Sequence, residues 1–478
     1  MSCVATNVSH ACHKLGLSRN FLQIRHGLIC SQNFSVYIIQ FPYIIVQVYE
    51  ICQRNFVSKK KNTTFAKKEG KKEFMTIKLR LQLLVCVACL FSLVAHAQGV
   101  GETKEIIRKV NNAWQQAHPG PEYGGTKKGL SAFWDNAVYH TGNMEAVRLF
   151  RSLGETEAAK AWYDYSFQWA ERNNWCGATE TDSEKWQYKH YGEKPEFVLF
   201  GDWQICFQTY IDLYDLSDAK DEKWVARAKE VMGYEAHSGE CDYWWWADAL
   251  YMVMPVMTKM YKLTGDGAYL NKMYDNWQYA NGIMYDKKTG LYFRDGKYVY
   301  PKHTTAAGKK DFWARGDGWV MAAFAKVLAD LENDDLKAKG GKALADKNKM
   351  KASLLKYYRK MAKAVVKCQQ PEGHWTRSML DPEQAPGYET SGTALMCYSL
   401  YWGVNNGILP QCCKKAADKA WQYLCTVALQ PDYTIGYVQP IGEKAIPGQV
   451  VDKKSQSNFG TGAFLLAASE RVRAEMKK

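Results

Sequence analysis

The feature that most constrains the fold of this 478-residue chain is a helical hydrophobic pattern that recurs from residue 102 to residue 475. Apolar residues three and four positions apart predict twelve helices, and no linker rich in serine, proline or glycine interrupts them. Twelve helices in one uninterrupted stretch favour six consecutive helix pairs. The predicted spans are 102–117, 133–152, 155–173, 202–216, 220–235, 244–264, 267–282, 311–332, 344–370, 390–407, 410–430 and 456–475.

The two helices of each pair differ in character. One set is rich in aromatic and small residues, as in GDWQICFQTYIDLY (201–214) and FWARGDGWVMAAFA (312–325). The other set is amphipathic and charged, as in DEKWVARAKEVMGY (221–234). Because helices that are apolar on all sides are buried and one-sided helices cover them, the sequence predicts an all-α (α/α)6 barrel, with six inner helices ringed by six outer ones. A helical solenoid without an active site is the alternative.

Residues 75–97 have the layout of a secretory signal peptide. The segment MTIKLRLQLLVCVACLFSLVAHA places two basic residues before a short apolar run that ends in Ala-His-Ala. A signal peptide stands at the start of a protein, so we predict that translation begins at Met75 and that residues 1–74 are a gene-start artefact. Residues 98–478 would then form a single barrel domain that is periplasmic or secreted. The alternative is that residues 1–74 are a real, disordered basic extension.

The net charge of +14 belongs mostly to the N-terminal segments. Residues 1–74 carry 11 basic and 3 acidic side chains and residues 75–97 add two bases, which leaves about +4 for residues 98–478. A basic balance confined to these segments argues against nucleic-acid binding. The apolar run within residues 75–97 is too short to span a membrane, so we expect no stable membrane insertion after the signal is removed.

The cysteines give no sign of a metal or redox centre. Eight of the 14 cysteines lie beyond residue 97, and they form no CxxC pair and no ligand spacing with histidine. Most occur in apolar helical patterns, which is typical of buried free thiols. We therefore expect no metal and no cofactor.

The starts of the inner helices collect polar and aromatic residues, so one end of the barrel should carry a concave, aromatic-lined mouth. Sugar rings stack on such side chains, and the 17 Trp and 30 Tyr make carbohydrate a natural ligand, although core packing must account for most of these rings. A short β-rich insert at 284–300 should lie at the rim. The helix starts concerned are WDNAVYH (134–140), GDW (201–203), DYWWWAD (242–248), WARGDGW (313–319) and YETSGT (388–393).

Asp248 is the first candidate for an acid catalyst. On the predicted helix its neighbours one turn away are aromatic or apolar, and burial among such groups raises the pKa of a carboxyl group. The helix dipole opposes this effect with only about 0.3–1 kcal/mol, so we expect Asp248 to hold a proton near neutral pH and to act as a general acid. A carboxylate that merely caps or braces the helix start is the alternative. Consecutive tryptophans on a helix cannot all face its core, so Trp246 is expected to line the site.

Asp202 lies at the start of the preceding inner helix, and two interpretations of it remain open. Aspartate is a good N-cap residue, so the role of Asp202 could be structural. Asp202 could also be a second carboxylate at the mouth, an arrangement that suits an inverting glycosidase as well. The spacing does not decide between these roles.

The segment FWARGDGWV (312–320) combines aromatic rings, glycines and a cation at another helix start. Gly316 allows a close approach of the backbone, and Arg315 offers a planar fork that suits the carboxylate of an acidic sugar. Trp313 and Trp319 flank both residues. An internal salt bridge of Arg315 is the alternative to a substrate contact.

Taken together, these stretches resemble glycoside hydrolase family 105, the unsaturated rhamnogalacturonyl hydrolases, which are related to the family 88 unsaturated glucuronyl hydrolases. The resemblance implies the (α/α)6 barrel, in agreement with the helical pattern. It also implies a hydrolase that hydrates the C4=C5 bond of an unsaturated uronic acid at the non-reducing end of lyase-generated oligosaccharides. The matching segments are WDNAVYHTGNM (134–144), GDWQICFQTYIDLY (201–214), DYWWWADALYM (242–252), FWARGDGWV (312–320), DPEQAPGYETSGTA (381–394), YWGVNNGIL (401–409) and GYVQPIG (436–442).

The resemblance also implies roles for individual residues. Asp248 matches the family's catalytic aspartate, which would protonate C4 and then assist the addition of water at C5, and Asp202 matches a second acidic position less closely. Arg294 stands where many relatives have histidine, which leaves the identity of the second sugar open. The residues expected to contact the substrate are Arg315, Trp313, Trp319, Gly316, Trp246, Tyr139, His140 and Arg294.

The leading hypothesis is an enzyme that acts on a small acidic oligosaccharide, most simply an unsaturated rhamnogalacturonan disaccharide from pectin. An unsaturated glucuronyl hydrolase acting on products of ulvan or another acidic polysaccharide is the first alternative. An inverting glycosidase and a sugar-binding protein without catalysis are further alternatives, because the fold alone does not choose among them. Hydration of an enol ether needs only acid, base and water, so it requires no cofactor. The sequence does not determine the oligomeric state.

The signal-peptide hypothesis predicts that the mature protein begins near residue 98. Export from a host cell followed by N-terminal sequencing tests this, because signal peptidase cleaves after small residues such as Ala97. A mature protein that begins at residue 1 would overturn both the start at Met75 and the cleavage.

Overall fold

Inner and outer helices alternate throughout the part of the chain that the structure describes. The computed structural model describes residues 99–120, 131–332 and 347–477, and the predictions for residues 1–74 and 75–97 lie outside these ranges. In chain order the helices are α1 (99–117), α2 (Trp134–Ser152), α3 (Thr156–Arg172), α4 (Gly201–Gln204), α5 (Cys206–Leu216), α6 (Lys223–His237), α7 (Ala247–Thr264), α8 (Ala268–Met284), α9 (Ala314–Glu332), α10 (Lys347–Cys368), α11 (Thr390–Asn405), α12 (Gln411–Tyr423) and α13 (Asn458–Met476).

The inner ring consists of α2, the pair α4 and α5, α7, α9, α11 and α13. Each of these elements contacts the next, and α13 packs against α2, so the ring closes. Helices α3, α6, α8, α10 and α12 each pack against an inner helix, and α1 bonds to α2 and α13 through its side chains. Almost every residue of α11 is buried, whereas α10 buries only one face. The predicted (α/α)6 barrel is confirmed.

Glycines allow the inner helices to approach one another closely. A Cβ atom at Gly142 of α2 would lie 2.2 Å from the carbonyl oxygen of Gly462 in α13, so the two backbones cross in direct contact. A Cβ atom at Gly392 of α11 would lie 2.7 Å from the carbonyl carbon of Ala314 in α9. Side chains larger than hydrogen cannot be accommodated at these crossings unless the helices move apart.

The three consecutive tryptophans do not lie on a helix, which corrects the predicted span 244–264. Helix α7 begins at Ala247, and Trp246 before it is extended, with φ −139° and ψ 155°. Trp246 forms a β-bridge with Asp295, and the backbone N–H of Ala247 donates to the carbonyl of Arg294 at 2.7 Å. Side chains alternate along an extended segment, so Trp244 and Trp246 are buried while Trp245 is partly exposed.

The insert between α8 and α9 contains isolated β-bridges, such as that between Tyr285 and Tyr292. Its predicted β character is limited to such bridges, because the described residues contain no strand. Within these residues no helix is both long and apolar enough to cross a membrane. The eight cysteines beyond residue 97 are all free thiols.

Candidate active site

Three inner helices place a carboxyl group at their second position, at the same end of the barrel. These residues are Asp135 on α2, Asp202 on α4 and Asp248 on α7, and all three are buried. Burial and then the charges of Asp248 and Asp135 raise the pKa of Asp202, while Arg294 opposes the rise, so these groups interact electrostatically. Tyr191 belongs to the same cluster, because burial first and then Asp202 and Asp135 raise its pKa to about 12.

Asp248 is held by Arg294. The Nε of Arg294 donates to Oδ2 of Asp248 at 3.2 Å. Burial raises the pKa of Asp248, while the guanidinium groups of Arg294 and Arg315 partly oppose that rise. Burial thus raises the pKa of Asp248 in the expected direction, and its role as general acid stays a prediction. The desolvating neighbours differ from those predicted, because the tryptophans precede α7 rather than form its first turn.

Asp202 is not an N-cap residue, because α4 begins at Gly201 and Phe200 is its N-cap. No hydrogen bond reaches the carboxyl group of Asp202 from the residues that the structure describes. Burial and then the charge of Asp248 raise the pKa of Asp202 well above its usual range. Two adjacent carboxyl groups titrate as a pair, and the ion pair with Arg294 favours the charged form of Asp248. Burial thus raises the pKa of both groups, and the rise is larger at Asp202 because Arg294 restrains it at Asp248.

Arg294 is surrounded by three carboxylates. In addition to Asp248, its Nη1 donates to Oδ2 of Asp295 at 2.8 Å and to Oε2 of Glu443 at 3.3 Å. These charges raise the pKa of Arg294 against the effect of burial. These bonds use Nε and Nη1 of Arg294, so the substrate contact that the sequence predicts falls either to Nη2 or to an exchange of one of these partners.

Arg315 binds backbone carbonyls rather than a carboxylate. Its Nη1 donates to the carbonyl of Gln439 at 2.6 Å, and its Nη2 donates to that of Pro440 at 2.9 Å. The side chain is fully buried, with its guanidinium 4.5 Å from the ring centre of Trp313, and burial lowers its pKa to about 10. The guanidinium thus holds the loop at Gln439 and Pro440, and a contact of Arg315 with the carboxylate of a substrate stays a prediction.

The predicted aromatic residues Trp246, Trp313 and Trp319 are buried near the helix starts. The indole Nε1 of Trp313 donates to Oε1 of Gln439 at 2.8 Å, and a Cβ atom at Gly316 would lie 3.1 Å from the Trp313 ring. Trp246 stacks on Phe200 with ring centres 4.7 Å apart. Trp319 packs against Tyr251 and Trp134 farther along the barrel. Direct contacts of Trp246, Trp313 and Trp319 with a substrate stay predictions.

Tyr139 and His140 do not join the carboxyl cluster, and this corrects their predicted position. Tyr139 donates to Oδ1 of Asn111 on α1 at 2.6 Å and stacks on Trp114. His140 lies 2.9 Å from the hydroxyl of Ser166 on α3, and burial lowers its pKa well below the usual range. Both residues lie one turn beyond Asp135 and face the outer helices.

Several residues of the site lie outside the sequence prediction. Asp135 shares its second-position placement with Asp202 and Asp248, and this regularity in WDN, GDW and WAD is the sequence signal that identifies it. Glu389 is the N-cap of α11, and its carboxylate accepts from the backbone N–H of Gly392 at 2.7 Å. Glu443 comes from a loop, and no periodic pattern marks it.

The site offers acid–base chemistry. Among the described residues no group of three or more His, Cys, Asp or Glu side chains could hold a metal ion. A protonated carboxyl group beside an ionised one can donate a proton at one atom and accept one at another. Arg294 supplies a positive charge directly beside them.

Comparisons with known proteins find relatives over most of the chain. The profile of Glycosyl Hydrolase Family 88 matches residues 106–475. An unsaturated 3S-rhamnoglycuronyl hydrolase from Formosa agariphila is 29% identical over 83% of this chain and 98% of its own length. A solved family 88 glycosyl hydrolase from Bacteroides vulgatus is 52% identical, with a TM-score of 0.70 over 78% of this chain and 99% of that one. A solved protein described as a polysaccharide lyase is 55% identical, with a TM-score of 0.69 over 78% and 97% of the two chains.

The contacts of Arg315 predict that Arg315→Lys lowers the free energy of unfolding by about 2–4 kcal/mol, because one ammonium nitrogen replaces the planar fork whose two nitrogens reach the carbonyls of Gln439 and Pro440. Urea denaturation measures the change. The exposed Arg359→Lys is the control, with a change within about 0.5 kcal/mol. Unchanged stability in Arg315→Lys would contradict the loop-holding role and favour the predicted substrate contact.

Proposed function

Because the chain belongs to Glycosyl Hydrolase Family 88, we propose that it releases a 4,5-unsaturated uronic acid from the non-reducing end of lyase-generated oligosaccharides. The observation that carries this proposal is the buried pair of Asp202 and Asp248 with Arg294 at hydrogen-bond distance from Asp248. Hydration of an enol ether needs a proton donor, a proton acceptor and a charge that binds the uronate. This cluster supplies all three.

The proposed reaction begins with an exchange of partners at Arg294. The carboxylate of the substrate replaces Asp248 as the partner of Arg294, and Asp248 then loses the contact that favours its charged form. Asp248 takes up the proton of the carboxyl pair from Asp202. The exchange thus makes Asp248 an acid only when an anionic substrate is bound.

The proton then moves from Asp248 to C4, and the electrons of the C4=C5 bond form the new C–H bond. Water adds at the electron-deficient C5 and gives up a proton to a carboxylate of the pair, which restores the starting protonation. The product is a hemiketal at C5. The hemiketal opens by breaking its bond between C5 and the ring oxygen, which gives a ketone at C5 and a hemiacetal at C1. The hemiacetal then becomes an aldehyde as its bond to the second sugar breaks, and the second sugar leaves as an alcohol.

The second sugar is proposed to be rhamnose, within an unsaturated rhamnogalacturonan disaccharide from pectin. The name of the Formosa agariphila relative, a rhamnoglycuronyl hydrolase, supports a uronate linked to rhamnose. A glucuronyl substrate from ulvan or another acidic polysaccharide is the alternative. The layout of residues 75–97 supports action in the periplasm or outside the cell.

A lyase activity is the second candidate, because one solved protein with 55% identity is described as a polysaccharide lyase. A lyase creates a C4=C5 bond, whereas the proposed hydrolase consumes it. The ultraviolet absorbance of this bond therefore changes in opposite directions for the two activities. Saturated and unsaturated pectin fragments, tested in parallel, separate them.

The proposal predicts that the wild-type protein removes the absorbance of an unsaturated rhamnogalacturonan disaccharide and that Asp248→Asn lowers kcat by about 10²–10⁴-fold, because the amide cannot donate the acid proton. Asp275→Asn removes an exposed carboxylate on α8 and serves as the control with full activity. An active Asp248→Asn variant would remove Asp248 from the mechanism. An absorbance that rises on saturated fragments would establish the lyase instead.

The ion pair predicts the direction of a pH effect. The charged groups around Asp248 are Asp202, Asp295, Arg294 and Arg315, and Arg294 lowers the pKa of Asp248. Activity that depends on a protonated Asp248 is lost as the pH rises above its pKa, so Arg294→Gln should move this loss to higher pH. The measurement is the pH profile of kcat/KM.

Lys297→Gln is the matched control for Arg294→Gln, since Lys297 bonds to Glu443 and lies on the same insert. It removes a positive charge that has no contact with Asp248. Its pH profile should follow that of the wild type. A profile of Arg294→Gln that also follows the wild type, or moves to lower pH, would contradict the proposed control of Asp248.

A further inference from the structure

An open cleft lies beside the carboxyl cluster. It has a volume of about 730 Å³, within the usual range of about 300–1,000 Å³ for small-ligand sites. Its walls come from the segment before α4, the segment before α7, the end of α8 and the following insert. The lining residues are Lys189, Trp245, Ile283, Asp295, Gly296, Lys297 and Lys302.

Trp245 gives the cleft an aromatic wall of fixed orientation. Its indole Nε1 donates to the carbonyl of Tyr188 at 2.9 Å, and its ring packs against Trp246 with ring centres 4.5 Å apart. The side chain is only partly buried, whereas Trp244 and Trp246 are buried. A ring that is held in place and still partly exposed is suited to stack against a sugar.

The cleft carries a surplus of positive charge. Lys189 and Lys302 are exposed, and neither forms an ion pair within the described part of the chain. Lys297 bonds to Glu443 at 3.1 Å. The one carboxylate in the lining, that of Asp295, is buried and already accepts from Arg294 at 2.8 Å. Lys189, which lies 5.7 Å from the ring centre of Tyr188, and Lys302 are therefore available to an anionic ligand.

The cleft adjoins the acid pair through Arg294 and the tryptophan run. Arg294 contacts Asp248 and also Asp295, which lines the cleft. Trp245 in the cleft is followed directly by Trp246, whose backbone bridges to Asp295. Arg294 and Asp295 thus connect Asp248 to the lining of the cleft by direct contacts.

We propose that this cleft binds the continuation of the substrate, a saccharide unit that carries a second negative charge, with its ring on Trp245 and its anionic group at Lys189 and Lys302. This inference rests on the proposed function, because it assumes that the terminal uronate lies at Asp248. It assigns the enzyme a preference for anionic oligosaccharides longer than a disaccharide. The anionic group can be a carboxylate or a sulfate ester.

The test compares two unsaturated substrates of the rhamnogalacturonan series: the disaccharide, whose second sugar is neutral, and the tetrasaccharide, which carries a further uronate. In the double variant Lys189→Ala/Lys302→Ala, the KM for the tetrasaccharide should rise about tenfold, while the kcat and the KM for the disaccharide stay unchanged. Added salt should raise the KM of the wild type for the tetrasaccharide more than that of the variant. The control double variant, Lys356→Ala/Lys363→Ala, removes two exposed lysines from α10.

If the disaccharide is turned over normally and the KM for the tetrasaccharide is equal in wild type and double variant, the proposed binding in the cleft is wrong. The proposed function stands in that case. A wild type that leaves both substrates intact would overturn the proposed function. Calorimetric binding of a saturated uronate-containing tetrasaccharide still tests the cleft in that case. Weaker binding by the double variant than by the control supports the cleft, and equal binding excludes it. A sulfated oligosaccharide in the same assay distinguishes the two anionic groups.

Discussion

The direct contact of helix backbones in the inner ring is the constraint on which the other features depend. Helices α2 and α13 cross at Gly142 and Gly462, and α9 and α11 meet at Gly392. These contacts allow α13 to close the ring onto α2. The closed ring places the N-terminal ends of α2, α4 and α7 at one end of the barrel, so three carboxyl groups that are far apart in the sequence share one environment.

Burial of several like charges at one end of a barrel is unfavourable unless protons or cations balance them. Here both are present, since Asp202 has a strongly raised pKa and Arg294 contacts Asp248. The pKa is raised more at Asp202 than at Asp248 because the guanidinium group of Arg294 lies beside Asp248. Similar aspartates at equivalent helix positions can therefore occupy different protonation states. That difference is what an acid–base reaction on an acidic sugar requires.

Sequence periodicity predicts those structural features that depend on residues close to one another in the sequence. The alternation of apolar and amphipathic helices predicts the barrel, and the position of Asp248 predicts its raised pKa. Contacts between segments that are far apart in the sequence cannot be predicted from periodicity. The extended backbone of Trp246 depends on a bridge to Asp295, and the partners of Arg315 lie in a loop more than a hundred residues later.

Side-chain direction is a second limit of the sequence analysis. Tyr139 and His140 share a motif with Asp135, but helical rotation and one further turn direct them toward α1 and α3. A motif therefore locates a helix start better than it identifies which of its residues face the ligand. The repeated second-position aspartate is more specific, because it compares three equivalent helices rather than one.

The closure of α13 onto α2 has a consequence for biogenesis. The first and the last inner helix are neighbours in space. The buried guanidinium of Arg315 also has its hydrogen-bond acceptors, the carbonyls of residues 439 and 440, far along the chain. A growing polypeptide cannot complete this core until nearly all of it has been synthesised, and assembly that relies on such distant pairings is slow. Products truncated before the last helix would lack both the closed ring and a complete active site.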